Sequence, residues 1–324
     1  ELVSPSMPPE MAPGDESPVL VFHDRIAGPV GKPDAHPLIP PLRLAPVAVP
    51  FAKPMLAFMS QRVYTGPRMD RSQGPQGWLP YLPWAFVVLT ITGQILWILA
   101  SGTGRLVLTL VTVVTFFLAS ATHAFLTRGL AWTLGYLAIS LSFGWLIELL
   151  GITTSFPFGF YAYSSSLGWA IAGVPVVIPL AWSMMAYPVL LAAQRLSGTG
   201  LGTAVVGGWL LAAWDLFLDP QMVSEKFWIW EKVGWQLPGI QGIPLQNFLG
   251  WLLSAAVLMG ILNLLPRKTA SEAVPTTLLT WVYVSNVIAN LVFLDRPGVA
   301  IWGGVCMGIV VIPWLWRLWS QPQW

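Results

Sequence analysis

GLGTAVVGGWLLAAWDLFLDP, residues 200–220, is the stretch that decides the fold. No charged side chain occurs in it before Asp215, and from Gly200 to Asp219 it is long enough, as a helix, to cross a hydrocarbon layer of roughly 30 Å. Asp215 and Asp219 stand four residues apart at its end, which places both on one helix face. A carboxylate beside hydrocarbon costs a few kcal/mol or more unless it meets a partner, water or a proton, so this pair marks a candidate functional site.

The rest of the chain has the same character. Of 324 residues, 55% are hydrophobic and 9% charged, and the mean hydropathy is +0.67, values that belong to a polytopic membrane protein. A net charge of +2 with no basic run argues against nucleic acid as a partner. The single cysteine, Cys306, excludes an internal disulfide framework and reads as an inert buried thiol.

Apolar runs of about 20 residues recur from Tyr81 onward. Spans fall near 81–100, 105–126, 130–150, 170–194, 200–219, 244–265, 274–294 and 298–318, with turn residues between them, so residues 81–318 are expected to form an all-α bundle of about eight transmembrane helices. Pro175, Pro179 and Pro188 predict a kinked or re-entrant fourth span. Residues 1–80 are Pro-rich with no sustained apolar period and read as an extended strap able to hold a membrane-protein partner. The sequence opens at Glu1 rather than Met, as expected of a processed or partial start, and nothing before Tyr81 resembles a signal peptide.

Basic residues near the spans set the orientation. Arg62, Arg68, Arg71, Arg128, Arg195, Arg267, Lys268 and Arg317 fall on one side, and Arg105, Lys226, Lys232 and Arg296 on the other. That bias places both termini in the cytoplasm, with the chain in the cell inner membrane. Following the spans through, Glu148, Asp215, Asp219, Asn247, Asn286, Asn290 and Asp295 gather toward one membrane face, together with the aromatic-rich connections 151–169 and 220–243.

Glu148 has apolar neighbours on both sides, which favours a neutral proton donor; its plainer role is a buried hydrogen bond between helices. Asp215 has the same two readings. Asp219, before Pro220, also suits a turn or cap, and Asp295 beside Arg296 suits an interfacial ion pair. His23, His36 and His123 form no metal-ligand spacing with Cys or carboxylates, so neither metal nor cofactor is expected, and there is no phosphate loop or nucleophile elbow. The Asp215–Asp219 spacing also invites comparison with the magnesium-diphosphate sites of membrane prenyltransferases, but a second Asp-rich cluster is missing.

Several collinear motifs over roughly residues 85–318 carry a more specific likeness. Glu148-Leu149-Leu150-Gly151, Phe156-Pro157-Phe158-Gly159 with Tyr161 and Tyr163, Ile178-Pro179-Leu180-Ala181-Trp182, Trp214 to Pro220, Trp228-x-Trp230 and Ile243 to Trp251 together resemble the carotenoid hydratases of the CruF type. The resemblance implies a membrane enzyme that adds water across the terminal 1,2 double bond of an acyclic carotenoid end group, giving a tertiary alcohol. Such chemistry needs a proton donor, a dry pocket tolerant of a tertiary cation, and a positioned water. Glu148 or Asp215 would protonate the end group, and the other carboxylate, with Asn247, would hold the water; Asp219 completes the acid set. Trp145, Phe158, Tyr161, Tyr163, Trp182 and Trp214 would line the substrate, several facing the cation. The expected partners are carotenoid and membrane lipid. Phe160 and Ala162, apolar where relatives carry polar side chains, favour the other reading, a pigment-binding or scaffold subunit of a photosynthetic or other membrane complex.

Overall fold

The computed structural model describes residues 77–320, and the strap expected over residues 1–80 lies almost wholly outside them. Among the described residues, eight helices are long and apolar enough to cross a membrane. They are α1 (Leu82–Leu99, preceded by a 3-10 turn at Leu79–Tyr81), α2 (Thr103–Arg128), α3 (Leu130–Thr154), α4 (Val177–Leu196), α5 (Gly200–Ser224), α6 (Leu245–Leu262), α7 (Ala273–Ile288) and α8 (Pro297–Ser320). The chain is thus a multi-pass membrane protein, as its hydropathy predicts. The last turn of α7 widens into a π-helix over Ala289–Phe293.

Helices α4 and α5 form the centre, most of their residues being shielded by the other six. α5 and α6 approach most closely: a Cβ placed on Gly208 would stand 2.7 Å from the Cα of Ala256. The turn between α2 and α3 is a single residue, Gly129, at φ 85, a conformation that a side chain would oppose.

The fourth span begins later than its apolar run implies. Ala170–Ile171 (β2) pairs antiparallel with Val174–Pro175 (β3), and Ala172 and Gly173 take positive φ in the turn, so the hairpin consumes residues that composition assigned to the helix. Pro179 then falls in the first turn of α4, where its missing N–H costs nothing, and Pro188 lies inside the helix.

The two long connections are joined by a second ribbon, Tyr161–Tyr163 (β1) antiparallel to Trp228–Trp230 (β4). Pleating sends alternate side chains to opposite faces. Tyr161, Tyr163, Trp228 and Trp230 turn toward the helices, while Ala162 and Ile229 turn outward and are exposed. The ribbon is an aromatic cover over one end of the bundle. At the other end, His123, Arg128 and Tyr187 knit α2 to α4: Nδ1 of His123 lies 2.9 Å from the Tyr187 hydroxyl, which also accepts from Arg128 Nε at 3.1 Å.

Candidate active site

Glu148 lies on α3, nearly two turns before the helix ends, buried under the ribbon. Its Oε2 accepts hydrogen bonds from the hydroxyls of Tyr161 (2.5 Å) and Tyr163 (2.7 Å), and its Oε1 from Trp182 Nε1 (2.9 Å). Three donors from two elements fix the carboxyl in one orientation. Gly151, one helical turn on, leaves the gap for this: a Cβ there would stand 2.6 Å from the Tyr161 hydroxyl. Burial, followed by the charge of Glu148, pushes both phenols far above their usual range, so they remain donors.

Asp215 and Asp219 occupy the adjoining end of α5, both buried. Asn247, in the first turn of α6, donates through Nδ2 to Asp215 Oδ2 at 2.9 Å and to Asp219 Oδ2. The other oxygen of Asp219 accepts from Trp228 Nε1 at 3.1 Å. Oδ1 of Asp215 is buried without a partner.

A cavity of about 70 Å³ brings these groups together; Glu148, Asp219 and Asn247 line it, with Phe158, Tyr161, Tyr163, Trp182, Trp228, Trp230 and Trp251 as its aromatic wall. Trp182 stacks face to face on Trp251, 4.1 Å between ring centroids. Among the described residues, no Lys, Arg or His lines the cavity. The space suffices for a few waters.

Of the residues expected from sequence, Glu148, Asp219, Asn247, Phe158, Tyr161, Tyr163 and Trp182 therefore meet in one chamber. Asp215 does not line it. It sits behind Asp219 and Asn247, against a smaller cavity of about 20 Å³ that Ile240, Ile243 and Pro244 of the second connection also line. Trp145 lies outside the chamber as well, its indole donating to the carbonyl of Ile171 at 3.2 Å. Trp214 is buried edge-on to Trp251, ring centroids 6.2 Å apart, and faces a different cavity. Asp295 makes no ion pair with Arg296, which instead donates to Ser224 at 2.8 Å. Cys306 is partly rather than fully buried.

Trp228, Trp230 and Trp251 are site residues that the candidate set lacks. The alternation of Trp228-Ile229-Trp230 was the available signal: two indoles on one face of a strand need something to cover.

Residues 104–314 match the family described as "carotenoid biosynthesis protein". The chain belongs to that family. One relative of this carotenoid biosynthesis protein is the bisanhydrobacterioruberin hydratase of Haloarcula japonica, 33% identical over 117 residues, which make up 34% of this chain and 38% of the relative. The matched part is thus well under half of that enzyme's length. No solved structure matches the chain.

Proposed function

We propose that this carotenoid biosynthesis protein hydrates the terminal 1,2 double bond of an acyclic carotenoid end group. The observation that carries the reading is that Glu148 and Asp219, from different helices, line one aromatic chamber with no cationic side chain among its lining residues.

The chemistry follows from the hydrogen bonds. Two buried carboxyl groups that both accept from one amide cannot both be charged at small cost, so Asp215 and Asp219 hold one proton between them. Asp219 is the member in the chamber, and it delivers that proton to C2 of the end group. The double bond supplies the electron pair, a C–H bond forms, and the positive charge falls on C1, a tertiary centre. The indoles and Phe158 face this charge, each contact contributing about 0.5–2 kcal/mol. A carboxylate has about four lone-pair sites, and Glu148 uses three on Tyr161, Tyr163 and Trp182. The remaining site, on Oε1, takes the proton of the water that attacks C1. Return of that proton from Glu148 to the aspartate pair through chamber water restores the starting state, and the sum is one water added and a tertiary alcohol formed.

Other features favour this reading over its rivals. Phe160 is 51% exposed and Ala162 is exposed on the outer face of the ribbon, so their apolar character does not alter the chamber. A prenyl diphosphate would call for cations, yet Lys232 lies 4.9 Å over the exposed Phe160 ring, outside the chamber.

In cells accumulating lycopene, the wild-type chain is expected to yield pigment heavier by one water per reacted end, and Glu148→Gln and Asp219→Asn to yield none while still inserting. Unchanged product from both variants would remove the acid–base assignment.

A further inference from the structure

The chamber has a larger neighbour. A cavity of about 420 Å³ lies between α1, α2, α5 and α7, and Thr109, Val113, Met184, Leu218 and Met222 line both spaces. A single layer of side chains therefore separates them, and two of its members are methionines, unbranched and readily displaced.

The far wall of the larger cavity is unlike the core. Ile95, Leu99, Val284, Ile288 and Phe293 line it and are 50%, 79%, 44%, 47% and 61% exposed. On membrane-spanning helices such exposure is toward lipid, so the cavity opens sideways into the bilayer between α1 and α7. The π-helical turn of α7 lies at this opening, Ala289 and Phe293 being on the wall. Such widened turns frequently mark functional positions. Small residues, Ser285 and Ala289, keep the space free on the α7 side.

We infer that this cavity is the binding groove for the polyene chain: the carotenoid leaves the bilayer between α1 and α7, and its end group passes Val113, Met184, Leu218 and Met222 to reach Asp219 and Glu148. The occupant is an acyclic conjugated hydrocarbon rather than a lipid acyl chain, because one layer of side chains is all that separates the groove from the chamber of the acids, where a long apolar chain with a reactive tip has reason to stop. The direction of threading rests on the function proposed above; occupancy of the groove does not.

The test uses the full chain purified in detergent from cells accumulating lycopene, with bound pigment measured by absorbance per protein and pigment mass by spectrometry. Ser285→Trp and Ala289→Trp fill the groove from α7, and each is expected to lower bound lycopene about tenfold, a loss of roughly 1.4 kcal/mol in binding. Ser285→Leu, a milder filling, gives a smaller loss, which keeps the test open should either Trp variant fail to fold. Val257→Trp, on the exposed face of α6 outside the groove, is expected to bind as wild type. Wild-type pigment levels in the groove variants, or phospholipid in place of lycopene in the purified protein, would overturn the inference. Pigment bound as described but never hydrated would leave the groove standing and remove the proposed reaction instead.

Discussion

At single residues, the groups that would react, Glu148 and Asp219, differ from those that hold them, Tyr161, Tyr163, Trp182, Trp228 and Asn247. Glu148→Gln and Asp219→Asn are expected to leave no detectable hydrated product, and Asp215→Asn to lower it by about 10²- to 10⁴-fold, the range for loss of a general acid or base, as measured by pigment mass per cell. Tyr161→Phe and Tyr163→Phe each delete one hydrogen bond to the Glu148 carboxyl, worth about 1.5–3 kcal/mol, so a loss of roughly 10- to 100-fold is expected for each. Because burial and the charge of Glu148 raise both phenols, neither should release its proton as pH rises through the ordinary tyrosine range near 10. The pH–activity profile of the purified enzyme should therefore carry no alkaline limb from them, and Tyr161→Phe should lower the profile without changing its high-pH side. The acids themselves were legible in the sequence, since charges are rare there and Asp215 and Asp219 end an apolar run. Which of the two faces Glu148 was not. Residues four apart on a helix share a face, and only the rotation of α5 against α3 and α6 selects Asp219 for the chamber.

At the scale of elements, helix number and most helix boundaries follow from apolar runs and glycine-bearing breaks such as Ser101 to Gly104. The start of α4 did not, because residues 170–175 are apolar enough for a span and yet form a hairpin whose turn residues take positive φ. The β1–β4 ribbon was likewise hidden: its strands are three residues each and lie 65 positions apart at the nearest, Tyr163 and Trp228, too far for a local turn to announce their pairing. Two substitutions test how elements position the site. Gly151→Val should push against Tyr161 and lower product while the protein remains folded, as followed by pigment mass and by thermal unfolding in detergent. Gly208→Leu, at the closest α5–α6 approach, should instead destabilise the whole bundle by about 1–3 kcal/mol, seen as a lower unfolding midpoint.

At the scale of the molecule, eight spans leave the two long connections on one side of the membrane, and we propose from the distribution of Lys and Arg that this side faces away from the cytoplasm. In a Cys306→Ala background, Ser166→Cys in the first connection should react with an impermeant maleimide in intact spheroplasts, and Thr269→Cys, in the connection before α7, only after lysis; the reverse pattern would invert the orientation. Both positions are exposed. In that orientation the chamber would lie toward the far surface, under its aromatic cover, with the larger cavity beside it. The central claim is that the two acids of this chamber add water to an acyclic end group. Mass analysis of pigment from lycopene-accumulating cells expressing wild type, Glu148→Gln or Asp219→Asn tests it most directly. The account predicts lycopene gaining the mass of water with wild type alone; equal hydration by all three proteins, or by none, would contradict it.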